Sequence, residues 1–178
     1  MVTLEKMHRQ YEMAELRRKD LLESPSEMFR SWFEKIEDSK NIEANAATLA
    51  TSSKKGKPSS RTVLVKEYDE RGFVFYTNYK SKKGRQIEVN PYGSLTFFWP
   101  EFERQVRIRG KMRKVSRKQS EKYFHSRPRL SQISVLASHQ SEILENREQL
   151  VKKVEKLEKM YEGKEIPLPD YWGGYRLE

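Results

Sequence analysis

The chain has 178 residues, 35% of them hydrophobic and 35% charged, with a formal net charge of +10, enough for one domain with a real core. Eight Phe, nine Tyr and three Trp argue against disorder, and the lack of cysteine excludes disulfides and thiolate chemistry. The cationic excess points to anionic partners: nucleic acid, a membrane surface or phosphorylated small molecules.

Residues 1–22 read as a polar, helix-prone and weakly amphipathic arm, and residues 23–178 as the domain proper. The N-terminal stretch has no apolar core of a signal peptide and carries acidic residues that a mitochondrial presequence avoids. No apolar run approaches the ~18 residues of a membrane span, so a cytoplasmic protein with no membrane association is expected.

A helix should follow Ser24 or Ser26 in SPSEMFRSWFEKIED, with Met28, Trp32, Phe33 and Ile36 at helical spacing. The period then changes. ATLATSS, SRTVLVKEY, GFVFYTN, GSLTFFWP and RQVRIRGKMRKV are short, β-branched or aromatic, and parted by turn residues. Lys54–Pro58 and Asp69–Gly72 suit hairpin connections, and a short helix fits Ser81 to Asn90. Beyond Ser116 the pattern is helical, and Glu145 to Tyr161 puts Leu150, Val154, Leu157 and Tyr161 on one face. Near the end, PDYWGGYRLE begins what reads as a further strand. The predicted class is α+β, a small antiparallel barrel or sandwich with helices around it.

Three clusters carry possible anion chemistry. In SRTVLVKEY, alternation sends Arg61, Val63 and Val65 to one face and Thr62, Leu64 and Lys66 to the other. Opposite faces serve one ligand only through a bulge or a twisted strand end, and the competing reading is a pair of edge-strand gatekeepers. In FYTNYKSKKGRQIEVN, Ser81 is an N-cap followed by Lys82 and Lys83. Cations in a first turn oppose the helix dipole unless an anion binds there; otherwise this is a solvated basic turn. In YFHSRPRLSQI, Pro128 separates two helices, and Tyr123, Arg127 and Ser131 lie four apart. A phenol, a guanidinium and a hydroxyl over a helix start suit a phosphate monoester, while a capped helix break with solvated arginines also fits.

His8, His125 and His139 show no metal-ligand spacing, and no metal site is expected. No GxGxxG or Walker loop is present. A clustered aromatic-basic stripe of the RRM or OB type is also missing, so no nucleic-acid partner is expected.

Taken in order, RTVLVK, FYTN, SKKGRQIEVNP, RQVRIRGK, YFHSRPRLSQI, SHQS and PDYWGGYR resemble the pyridoxine (pyridoxamine) 5'-phosphate oxidase family, from about Met7 to Arg176. The resemblance implies a split β-barrel of Greek-key type that binds FMN and works as a homodimer, with the flavin at the subunit interface. It implies oxidation of pyridoxine or pyridoxamine 5'-phosphate to pyridoxal 5'-phosphate, with O2 as final acceptor and H2O2 released. By position, Arg61, Lys66, Tyr76, Thr77, Lys82, Lys83 and Gln105 would hold FMN, with Gln140 and Ser141 reaching it from the other subunit. Lys66 would also face the substrate, whose phosphate would sit on Tyr123, Arg127 and Ser131, while Tyr11 of the arm helps close the site.

Two departures stand out within the motifs. Lys82 occupies a usual arginine position and loses the bidentate fork, and His8 stands where MRxxY of the family has arginine. The family also continues into a segment with EFWQG and RLHDR, whose arginine and histidine serve the substrate, so no catalytic residue is assigned on these 178 residues. An unpaired sheet edge and an incomplete site are expected as a result, and a paralogue that binds FMN or pyridoxal phosphate without turnover is the alternative function.

Overall fold

The computed structural model describes residues 10–13, 15–39 and 43–178. The His8 departure lies outside them. Between Gln10 and Leu22 the described residues are exposed and form one 3-10 turn, Arg18–Asp20, in place of the expected helical arm. A polar, weakly amphipathic segment has no apolar face whose burial would hold it helical.

Helix α1, Pro25–Asp38, starts as its sequence dictates. Ser24 Oγ accepts from the Glu27 amide at 3.1 Å, the Glu27 carboxylate accepts from the Ser24 amide at 3.3 Å, and Pro25 takes the first helical position. The buried stripe is Phe29 and Ile36 with Phe33 beside them, whereas Met28 and Trp32 flank it. Phe29 was absent from the predicted face. It is recruited by aromatic partners from three strands, Tyr68, Phe73 and Phe97, at centroid distances of 5.0, 4.8 and 5.1 Å.

Six antiparallel strands follow: β1 Ala46–Ser52, β2 Pro58–Asp69, β3 Gly72–Asn78, β4 Tyr92–Trp99, β5 Arg104–Lys114 and β6 Trp172–Leu177. They close a barrel in the order β1-β2-β3-β6-β5-β4. Both predicted hairpins, β1–β2 and β2–β3, are present. Helix α2, Lys82–Val89, carries the chain from β3 to β4, which pairs with β1. The expected unpaired edge is absent. β6 fills it, pairing Phe73 through Asn78 of β3 with Leu177 through Trp172, and Met112 through Lys114 of β5 with Leu177 through Tyr175. Arg176 of β6 is buried in an ion pair with Asp69, which ties the closing strand to the β2–β3 turn.

Helices α3 (Arg117–Ser126), α4 (Arg129–Ala137) and α5 (Arg147–Met160) fall between β5 and β6 in the chain. Phe124, Ile133, Ile166, Leu168 and Trp172 form a second core, against which Val154 and Leu157 of α5 and Tyr161 at its C-cap pack; Leu150, expected on that face, is not among them. Pro128 is the N-cap of α4 rather than its first residue, and its carbonyl accepts from the amides of Ser131 and Gln132. Helix α3 sits almost directly on the β6 backbone. A Cβ on Gly173 would lie 2.2 Å from Tyr79 Oη and 2.8 Å from Ser120 Oγ, and the Gly174 amide donates to Ser120 Oγ at 3.2 Å. Among the described residues no helix is long and apolar enough to cross a membrane.

Candidate functional site

A cavity of about 420 Å³ opens between the outer side of β2 and β3 and the α3–α4 corner. Strand alternation brings Lys66 to it with Thr62 and Leu64, and a bulge then turns Glu67 to the exposed side as well. Val65 pairs with Phe75 and Glu67 with Val74, so the register slips at Lys66, and both Lys66 and Glu67 are exposed while Val65 is buried. The bulge does not bring Arg61 round. Thr62, Leu64 and Lys66 line the cavity, and Arg61 is not among its lining residues.

Arg61 is held by four neutral acceptors: the Leu49 carbonyl at 3.1 Å, Thr51 Oγ1 at 2.7 Å, and the Ser59 carbonyl and Oγ at 3.1 and 2.7 Å. Burial lowers its pKa from the ordinary arginine value. Lys83, on the cavity lining, is only 8% exposed. Its Nζ donates to Thr77 Oγ1 and to Gln140 Oε1, each at 3.3 Å. Burial first, and the Arg61 charge second, push the Lys83 pKa down to about 8. Two cations with only neutral acceptors around them, one of them depressed into the working pH range, make a strong anion-receptive end.

The other end is aromatic. Tyr76 and Tyr123 stack at 3.9 Å and 19°, and Trp172 lies nearly parallel to both, at 5.6 and 6.1 Å. The Arg127 guanidinium rests over the Trp172 ring, 5.0 Å from its centroid. Its Nη1 is buried and has no hydrogen-bond partner among the described residues. An orphaned guanidinium nitrogen beside Tyr123 and Ser131 is what a phosphate oxygen would satisfy. Burial lowers the Arg127 pKa, opposed by Tyr123, and burial raises that of Tyr123.

Of the residues singled out in sequence, Lys66, Tyr76, Thr77, Lys83, Tyr123, Arg127, Ser131 and Gln140 meet in this one cavity. Gln140 does so within its own chain, through Thr77 and Lys83, so a second subunit is not needed to bring it there. Ser141, at φ +70°, turns away into a groove beneath α5. Lys82 points to solvent from the first turn of α2. Tyr11 is 76% exposed on the arm, whose Glu12 and Met13 amides both donate to Glu103 Oε2 at 2.9 Å. Gln105 lies on the outer face of β5, lining a groove with Leu22 and Trp32. Sequence reasoning missed Trp172 as a lining residue and Glu67 as the acceptor of the Tyr76 hydroxyl. Trp172 was visible only as a motif letter, because nothing in one strand reveals a stack built from three elements.

A family model described as pyridoxamine 5'-phosphate oxidase matches residues 33–161. A pyridoxine/pyridoxamine 5'-phosphate oxidase of Paraburkholderia phytofirmans is 45% identical over 177 residues, covering 99% of this chain and 83% of the relative. One from Leptospira interrogans is 46% identical, covering 98% and 81%. The crystal structure of PhzG from Burkholderia lata, in complex with tetrahydrophenazine-1-carboxylic acid, superposes with a TM-score of 0.85 at 29% identity, covering 90% of this chain and 78% of that one. A pyridoxamine 5'-phosphate oxidase-related, FMN-binding protein of Nostoc punctiforme shares the fold, with a TM-score of 0.66 at 14% identity, covering 89% and 82%. The expected α+β split barrel is therefore borne out. The family match over residues 33–161, and relatives at close to half identity of which this chain covers more than four fifths, establish that this chain is a member of the pyridoxamine 5'-phosphate oxidase family.

Proposed function

We propose that this chain is a cytoplasmic FMN-dependent oxidase that converts pyridoxine or pyridoxamine 5'-phosphate to pyridoxal 5'-phosphate. For the amine the balance is substrate, O2 and water in, and aldehyde, ammonia and H2O2 out; for the alcohol, substrate and O2 give aldehyde and H2O2. The observation that carries the reading is a single cavity with two separate anion-receptive ends, the Lys83–Arg61 pair and the orphaned Arg127 Nη1. Two phosphorylated molecules side by side fit that pattern.

FMN, when bound, supplies the two-electron acceptor that no side chain here provides. Lys83 holds its phosphate, with Arg61 adding charge from outside the cavity lining, Lys82 from the solvent side, and Thr77 and Gln140 hydrogen-bonding beside them. Tyr76 and Lys66 border the ring system, with Ser141 nearby. Tyr123, Arg127 and Ser131 orient the substrate by its phosphate, Lys66 faces it, and Tyr11 covers it against water. The protein's share is placement and electrostatics.

The reading includes a homodimer. Across the sheet Thr62 pairs with Thr48, Thr48 with Thr96, and Thr96 with Arg107, so the cavity-lining Thr62 shares one outer face with the β5 row that carries Gln105. Phe98, opposite Gln105, is 62% exposed on that face. Burying this surface against a second copy covers Phe98 and offers Gln105 to the partner's flavin. The test is direct: titrate the purified chain with FMN, read the flavin absorbance, then add pyridoxamine 5'-phosphate and measure peroxide. Saturable flavin binding with substrate-dependent peroxide is expected. Flavin binding without peroxide identifies the non-catalytic binder, and no flavin binding overturns the proposal.

A further inference from the structure

Glu67 gathers donors from two elements onto one carboxylate. Tyr76 of β3 donates its hydroxyl to Oε1 at 2.5 Å, and the Gln119 side chain of α3 donates to Oε2 at 2.7 Å. The bulge makes this possible, because the register slip at Lys66 leaves Lys66 and Glu67 both exposed instead of on opposite faces. From Gln119 the spacing runs on to Tyr123 and Arg127 in steps of four, one helical face leading to the corner. From Tyr76 a second route reaches the same place, through the 3.9 Å stack on Tyr123.

We propose that Glu67 is a positioning residue, fixing Tyr76 and α3 against the bulged strand so that Tyr123 and Arg127 are correctly presented to the substrate phosphate. This rests on the oxidase reading above for the identity of the ligand. A charged acceptor makes both hydrogen bonds stronger than a neutral one would. Burial, followed by the bond to Glu67, raises the Tyr76 pKa, so the phenol remains a donor throughout the working range. Removing Glu67 does not release α3 altogether. Ser116 Oγ still caps it by accepting from the Gln119 amide, and Ser120 Oγ still accepts from Gly174. What is lost is the angle at which the helix face meets the cavity.

The experiment compares wild type, Glu67→Ala and Glu67→Gln, each loaded with FMN. Steady-state kinetics with pyridoxamine 5'-phosphate are run beside an equilibrium titration with pyridoxal 5'-phosphate. For Glu67→Ala, KM and the pyridoxal phosphate Kd should rise about three- to tenfold, with kcat within about twofold and the FMN Kd raised by less than about threefold, because the freed Tyr76 also borders the flavin. Glu67→Gln should restore most of the affinity. Its amide oxygen accepts from Tyr76, and its NH2 meets the Gln119 carbonyl once that side chain flips. Unchanged KM and Kd in Glu67→Ala overturn the proposal. So do a loss of FMN affinity as large as that of pyridoxal phosphate, or a Gln variant no better than Ala. A wild type that binds pyridoxal phosphate but releases no peroxide sinks the oxidase reading alone, and the Kd comparison then decides the role of Glu67. A wild type that binds neither ligand overturns both.

Discussion

Lys83 makes FMN affinity depend on pH in a definite direction. Its pKa is lowered from 10.5 to about 8 by burial and then by Arg61. In the ligand-free protein about ten Lys83 side chains in eleven are therefore charged at pH 7, and about one in eleven at pH 9. A phosphate dianion beside Nζ favours the charged form and returns the bound-state pKa toward its ordinary value. Binding above pH 8 must then include uptake of one proton, and affinity should fall at most about tenfold between pH 7 and pH 9. The phosphate's own second ionisation, near pH 6, is complete across this window. Stability of the ligand-free protein runs the other way. Unfolded Lys83 keeps its proton up to about 10.5, so from roughly pH 8 to 10.5 the unfolded state binds more protons and this group's contribution to stability rises with pH. The assay is flavin fluorescence titration at pH 7, 8 and 9, with Lys83→Met as control. Flat affinity in the wild type, or the same slope in the methionine variant, refutes the reasoning.

Arg127→Ala should weaken pyridoxal phosphate binding by roughly 30- to 1000-fold while leaving FMN nearly untouched, and Arg127→Lys should not restore it because the fork is lost; loss of FMN in place of pyridoxal phosphate in paired titrations would mean that the two ends of the cavity are exchanged. Phe98→Lys should yield monomers in sedimentation and reduce FMN affinity, since it sets a charge on the outer face opposite Gln105, and an intact dimer counts against that face. Gly84→Ala should cost about 2 kcal/mol or more and lower Tm by about 4–8 °C, because a Cβ there would lie 2.0 Å from the Tyr79 carbonyl oxygen; thermal unfolding measures it.

The parts legible in sequence are those written within one segment. Ser24, Pro25 and Glu27 announce α1 because capping is local chemistry, and the turns around Gly56 and Gly72 announce the first two hairpins for the same reason. The bulge at Lys66 was recognised only as a requirement, since a register slip belongs to two strands and neither sequence records it alone. Phe29 outranks the predicted stripe through partners on β2, β3 and β4. Gln140 reaches Thr77 across 63 residues of chain, a distance over which no periodicity carries information. Closure by β6 was hidden likewise, because WGGYRL looks incomplete until β3 and β5 stand on either side of it.

The direct approach of α3 to the β6 backbone at Gly173 and Gly174, where the strand carries no side chain, has a dynamic consequence. Packed side chains yield by small rotamer changes, whereas a hydroxyl gripping a backbone amide is either engaged or broken. With Gly174 N–H on Ser120 Oγ, the helix has little room to tilt by degrees at this point. Its departures from the sheet are discrete openings, of the kind that amide exchange counts one by one. The Gly174 proton is thus a built-in clock for how often the Tyr123–Arg127 face comes off its mount.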